Sequence, residues 1–116
     1  MTISKDTTVV NIKEDKISFS GGAPRFSFKR SLSGKMYAIK ASRDALRIST
    51  SFMLQKSDET TLDTLFSWYK EGAMVDLSVD NKSWGVVITQ LSWDDDGEIL
   101  RGRIEFVEVD EVVDNG

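Results

Sequence analysis

The densest run of metal-type oxygens in the chain is Asp94-Asp95-Asp96-Gly97-Glu98. Clustered carboxylates suit a hard cation such as calcium. An EF-hand loop, however, spreads its ligands over about twelve residues and ends on a distal glutamate. Consecutive aspartates in an extended chain also point alternately to opposite sides. The run therefore reads as a solvated turn between two strands, with Gly97 supplying the positive φ of a tight connection. A second constellation interleaves cations and rings: Arg25, Phe26, Phe28, Lys29, Arg30, Lys35 and Tyr37. That pattern suits a single-stranded nucleic acid, whose bases stack on rings while cations follow its phosphates. Aromatic residues at alternate strand positions more often serve a core. Trp84 and Trp93 have the same two readings, ligand platform or anchor in a core or subunit interface, and the anchor is the commoner.

Catalytic chemistry has little to work with. The 116 residues contain no histidine and no cysteine. This removes the commonest general base, the commonest transition-metal ligand, disulfides and thiolate nucleophiles. Carboxylates are abundant, but none stands in an apolar context that would raise its pKa. There is no glycine-rich phosphate loop and no nucleophile elbow. We expect no enzymatic activity, no cofactor, no metal and no small-molecule substrate.

The elements that carry these residues are mainly strands. Residues 83–109 read as a long hairpin around the aspartate turn. In the first strand, Trp84, Val86 and Ile88 point one way and Val87, Leu91 and Trp93 the other, the pattern of a strand covered on both faces. In the second, Leu100, Ile104 and Phe106 oppose Arg101, Arg103 and Glu105, as in a half-solvated strand. Residues 45–54 alternate most clearly, with Leu46, Ile48, Thr50, Phe52 and Leu54 on one face. Strands are also expected over 35–41 and 74–79. Ser20-Gly21-Gly22-Ala23-Pro24 breaks any regular element.

One helix is expected, from about Glu59 to Glu71. Leu62, Leu65, Phe66 and Tyr69 form its apolar stripe, with Trp68 at the border. Ser57, Asp58 and Thr60 are candidate caps, Thr60 and Asp63 have capping-box spacing, and Gly72 suits a left-handed C-terminal cap. The expected core anchors are Leu62, Leu65, Phe66, Tyr69, Trp84, Trp93, Ile104 and Phe106, with Trp68 among the aromatic residues holding the core. The sum is a mainly β (α+β) chain: an antiparallel β-sandwich or split barrel of six to seven strands with one helix packed on it.

The chain is long enough for one domain, 1–116, with a core of its own. Residues 1–20 read either as one or two short strands or as an arm that orders against a partner. Residues 109–116 form an acidic tail expected to fray. No stretch has the length or apolarity of a signal peptide or a membrane span, so a soluble product without membrane contact is expected. The net charge of −4 is unevenly spread. Residues 1–56 hold 11 basic against 4 acidic side chains, and residues 57–116 hold 4 against 15. Such asymmetry fits a nucleic-acid-binding half, or a building block whose faces attract one another, or charges that merely mix on one surface.

Three features in order carry a resemblance: the strand Leu46–Leu54, the helix pattern Leu62-x-x-Leu65-x-x-Trp68-x-x-x-Gly72, and Trp84-Gly85-Val86-Val87-Ile88 followed by a charged turn and Arg103-Ile104-Glu105-Phe106. Over about residues 45–108 the chain resembles small bacteriophage tail and baseplate structural proteins, of the tail-protein U type and the tail-tube fold generally. The resemblance implies a non-enzymatic tube, tube-initiator or baseplate subunit of a phage tail or related contractile injection machine. It further implies copies that form rings, often sixfold, and stack. Residues 1–20 and the stretch 25–41 would then be the arm or long hairpin that meets a neighbouring ring. Arg25, Phe26, Phe28, Lys29, Arg30, Lys35 and Arg43 would form the interface, with Arg25, Lys29, Arg30, Lys35 and Arg43 meeting acidic neighbours. Other partners would be tail or baseplate proteins, with DNA only as passing cargo. The location would be the virion tail, after synthesis in the bacterial host cytoplasm. The alternative function is a small single-stranded nucleic-acid-binding module built on residues 25–37.

Overall fold

In a computed structural model the chain is described at residues 1–43 and 45–112, with side chains at all of these except 24–27 and 41–43. Among the described residues, nine strands alternate with little else. They are β1 (Thr2–Lys5), β2 (Thr8–Asn11), β3 (Lys13–Ser20), β4 (Pro24–Arg30), β5 (Met36–Arg43), β6 (Arg47–Gln55), β7 (Met74–Val79), β8 (Lys82–Asp95) and β9 (Ile99–Glu108). A 3₁₀ turn (Lys56–Asp58) leads from β6 into the helix α1 (Glu59–Glu71).

Seven strands form one sheet in the order β2-β1-β7-β8-β9-β6-β3, antiparallel throughout. Its two edge strands, β2 and β3, are separated in the chain by Ile12 alone. Two peptide steps span at most about 7 Å, so the sheet must curl until its edges meet at this residue. The Ile12 amide donates to Met1 O at 3.1 Å, extending the β1–β2 ladder to this residue, and the N-terminal ammonium of Met1 reaches Glu14 of β3 at 2.9 Å. The result is a split barrel whose core includes Ile3, Val10, Ile12, Ile48, Phe52, Leu54, Val75, Leu77, Val86, Leu100, Ile104 and Phe106, closed by Leu62, Leu65 and Trp68 from α1. Residues 1–20 are therefore not an arm. Three strands of the sheet come from them, and Ile3 is wholly buried because β1 lies between β2 and β7.

The long strand β8 differs from its expected pattern. Ile88 pairs with Phe106, Gln90 with Glu105 and Leu91 with Ile104, so Thr89 is an extra residue in the strand. A bulge shifts the alternation by one. Val86, Ile88 and Leu91 consequently share the core face, and the strand is not covered on both sides. A second bulge, between Glu14 and Ile17 of β3, takes the Lys16 carbonyl out of the ladder. The buried Thr50 hydroxyl donates to that carbonyl at 3.0 Å.

The helix spans the expected residues, but its buried stripe is Leu62, Leu65 and Trp68. Phe66 lies about 100° of helix rotation from Leu65 and is 37% exposed, against 6% for Trp68. Turning the larger ring inward buries more apolar area. Phe66 is thus not a core anchor, and Trp68 is not at the border. Thr60 and Asp63 form no capping box: the helix begins one residue before Thr60, and its N-cap, Asp58, makes no side-chain cap bond. At the other end Gly72 adopts φ 67°, the left-handed cap, with its amide bonded to Tyr69 O at 3.2 Å.

Among the described residues, strands β4 and β5 pair only with each other. The hairpin leaves the body between β3 and β6 and makes the molecule elongated, 69 × 33 × 25 Å. The Cα radius of gyration is 18.5 Å, where a compact chain of this length has about 13 Å.

Candidate assembly interface

The hairpin of β4 and β5 is held by its own ladder and a tight tip. The pairs Phe28↔Ala38, Lys29↔Tyr37 and Arg30↔Met36 set its register. At the tip the Gly34 amide donates to Ser31 O and the Ser31 amide to Lys35 O, both at 2.9 Å. Strand alternation puts Phe28, Arg30, Met36 and Lys40 on one face and Lys29, Tyr37 and Ile39 on the other. Neither face meets a core. Phe28 is 67% exposed, Met36, Tyr37 and Ile39 are exposed, and Leu32 stands fully in solvent at the tip. A free-standing hairpin is marginal by itself, and exposed rings and aliphatic side chains rimmed by cations are the composition of a contact surface.

Its charge is one-signed. Arg25, Lys29, Arg30, Lys35, Lys40 and Arg43 are all basic, and no acidic residue lies between Lys16 and Asp44. Because the whole chain carries −4, the rest of it carries −10. The structure thus brings the sequence-predicted residues Phe28, Lys29, Arg30 and Lys35 onto one projecting element. Arg25, Phe26 and Arg43 belong to its strands by backbone pairing, while their side chains lie outside the described residues. So do residues 113–116 of the expected acidic tail.

The aspartate run closes β8 and opens the turn: Asp94 and Asp95 end the strand, residues 96–98 connect it to β9, and the Asp95 and Asp96 carboxylates are engaged there. Asp95 accepts from the Gly97 amide at 2.8 Å and from the Lys56 ammonium. Asp96 accepts from Glu98 and Ile99 amides at 3.0 and 2.8 Å. The Lys56 contact, then the Gly97 amide, holds the Asp95 carboxyl below the usual carboxylate range. The amides of Ile99 and Glu98 do the same for Asp96. Lys56 is shifted upward, chiefly by Asp95. Among the described residues no cluster of three or more His, Cys, Asp or Glu is arranged to hold a metal.

The remaining anchors divide. Leu62, Leu65, Ile104 and Phe106 are buried, whereas Tyr69 and Trp84 are half-buried against the core. Trp84 stacks tilted on Phe19, centroids 5.6 Å apart. Trp93 is 38% exposed, a correction to its reading as a core anchor. The bulge turns it toward the helix side, but beyond the stripe, where its ring meets that of the outward Phe66 (5.3 Å, 77°). The sequence reading missed this exposed pair because the bulge residue, Thr89, has no distinctive side chain to announce it. An open groove on the outer sheet face, lined by Lys13, Asp15, Met53, Arg101 and Arg103, mixes both charges and converges no polar groups on a point.

A curled antiparallel sheet, one flanking helix and a projecting hairpin define the fold, and chains of similar fold occur in solved virion and tail particles. The chain is similar to a chain in the virion of a native gene transfer agent particle, with a TM-score of 0.62 and 12% identity over 95% of this chain and 91% of that one. It is also similar to a chain in the tail of an empty gene transfer agent particle with C6 symmetry (TM-score 0.55, 14% identity, 99% and 95% covered). A third likeness is to a chain in the anti-feeding prophage cap, which terminates that particle's tube (TM-score 0.52, 18% identity, 92% and 82% covered). No protein-family model and no curated protein matches the sequence. These neighbours lend no support to the nucleic-acid-binding alternative. No helix among the described residues is long and apolar enough to cross a membrane.

Proposed function

We propose that this chain is a non-enzymatic structural subunit of a phage-type tail or contractile injection machine. It is a tube, tube-initiator or baseplate component that assembles with copies of itself and with other tail proteins, in the virion tail, after synthesis in the bacterial host cytoplasm. The observation that carries the reading is the hairpin of β4 and β5: six basic residues, no acidic one, and exposed Phe28, Leu32, Met36, Tyr37 and Ile39 on an element that pairs with no other strand among the described residues. A basic projection on a body of charge −10 favours head-to-tail contact between copies, the heterologous kind that closes rings and stacks them. The tail and cap particles that hold the neighbouring chains, one with C6 symmetry, support the same reading and make six the expected ring order.

The test is charge reversal at Arg25, Lys29 and Arg30 together, each to Glu. Light scattering and negative-stain microscopy at low and high salt should show wild-type oligomers that dissociate with salt, and a triple variant that stays monomeric. Circular dichroism should show the variant's fold intact. A triple variant that assembles like wild type, or a wild type monomeric at every concentration and salt, would refute the proposal.

A further inference from the structure

Resting on that reading, we propose that the exposed pair Phe66 and Trp93, with the carboxylates flanking it, is the docking surface for the β4–β5 hairpin of a second copy. Three observations converge on it.

The first is direction. The hairpin leaves the body at Ser20 and Arg47, which pair with each other, and Arg47 pairs in turn with Val107. Trp93 pairs with Gly102, Gly102 with Phe52 and Phe52 with Glu14. The aromatic pair therefore sits five residues along β6 from the hairpin root, about 17 Å toward the opposite end of the sheet. A hairpin projecting away from the body cannot reach the patch in its own chain. The same hairpin on a copy displaced along the strand direction points at it. Such a contact is heterologous and leaves a free hairpin and a free patch at the two ends, so it propagates.

The second is charge. The segments that flank the patch, 56–63 and 94–98, hold Asp58, Glu59, Asp63, Asp94, Asp95, Asp96 and Glu98 against Lys56, and with Lys70 over Phe66 and Arg101 opposite Asp94 the surroundings stay net acidic. Opposed to them is a hairpin with no acidic residue. Complementary fields of this kind set register and speed encounter.

The third is the chemistry of the rings. Lys70 Nζ lies 5.5 Å from the Phe66 ring centroid, so this aromatic surface already receives a cation. Arg and Lys from the hairpin would meet Trp93 in the same way. Phe28, Leu32 and Tyr37 would cover what apolar surface remains.

The chain has no cysteine, which permits site-directed disulfide trapping with single exposed positions. Leu32→Cys or Tyr37→Cys protein is mixed with Ser67→Cys, next to Phe66, and oxidised at low salt. The control partner is Asn81→Cys, in the exposed turn at the hairpin end of the body. The expected result is a heterodimer with Ser67→Cys at least tenfold above the control, lost at 1 M salt. Sedimentation of the wild type is run alongside. A self-associating wild type whose disulfides show no preference for Ser67→Cys overturns this inference alone. A wild type monomeric at all concentrations, with no preferred disulfide, overturns the inference and the proposed function together.

Discussion

Phe66 and Trp93 meet edge to face outside the core, 5.3 Å between centroids with planes at 77°, while Trp68, two residues on, is buried. The helix thus presents one aromatic ring inward and one outward, and the two should answer differently to truncation.

Leu65→Ala should cost about 2–5 kcal/mol, as expected for a fully buried leucine that leaves a cavity. Phe66→Ala should cost only about 0.5–1.5 kcal/mol, the scale of one aromatic pair. Urea unfolding of both variants checks the ordering. Equal losses would contradict the placement of Phe66 outside the core.

Gly102 has no room for a side chain. A Cβ there would collide with the Ser92 carbonyl oxygen and come within 2.8 Å of Phe52 Cζ and 3.0 Å of Trp93 Cβ. Gly102→Ala should therefore destabilise by about 1–3 kcal/mol through overpacking and backbone displacement. It should also disturb Trp93, so a change in tryptophan fluorescence accompanies the lower melting temperature. A variant as stable as wild type would contradict the close approach.

Thr50 donates its hydroxyl to Lys16 O at the β3 bulge, at 3.0 Å, and is itself buried. Thr50→Val keeps the shape but leaves that carbonyl without this donor, at a cost of about 1–3 kcal/mol. Thr50→Ser retains the donor and should lose less of it. Thermal unfolding of the pair separates the hydrogen bond from packing.

The β8–β9 turn should weaken in acid. Asp95 and Asp96 titrate below their ordinary range in the folded chain, so the unfolded chain takes up protons first as pH falls. Their contribution is present above the unfolded carboxylate range and is lost as pH drops through the folded values. Lys56, shifted upward, contributes below its ordinary range and loses its share as pH rises through the folded value. Melting temperature followed from pH 7 to 3 should fall less steeply for Asp96→Asn, which keeps an acceptor oxygen but does not titrate.

Local pattern was enough for much of this molecule. The period of the helix, the capping glycine Gly72, the alternation of β6 and β9 and the aspartate turn are all properties of short stretches. They follow from side-chain spacing on a helix or strand, which the sequence displays directly. The one-signed charge of residues 25–43 was equally plain, as was the absence of histidine and cysteine.

Tertiary structure decided what depends on partners distant in the chain. Whether β1 and β2 were strands or an arm turned on β7, some seventy residues away, offering an edge to Ile3. Whether Phe66 or Trp68 faced inward turned on how the helix rolled over the barrel. The side of the sheet on which Trp93 falls depended on one bulge at Thr89, set by the pairing of β8 with β9. The hairpin projects because, among the described residues, its strands pair with no strand of the main sheet, which leaves Met36, Tyr37 and Ile39 exposed. A sequence shows that such residues are apolar, but only the assembled sheet shows that they are left outside it.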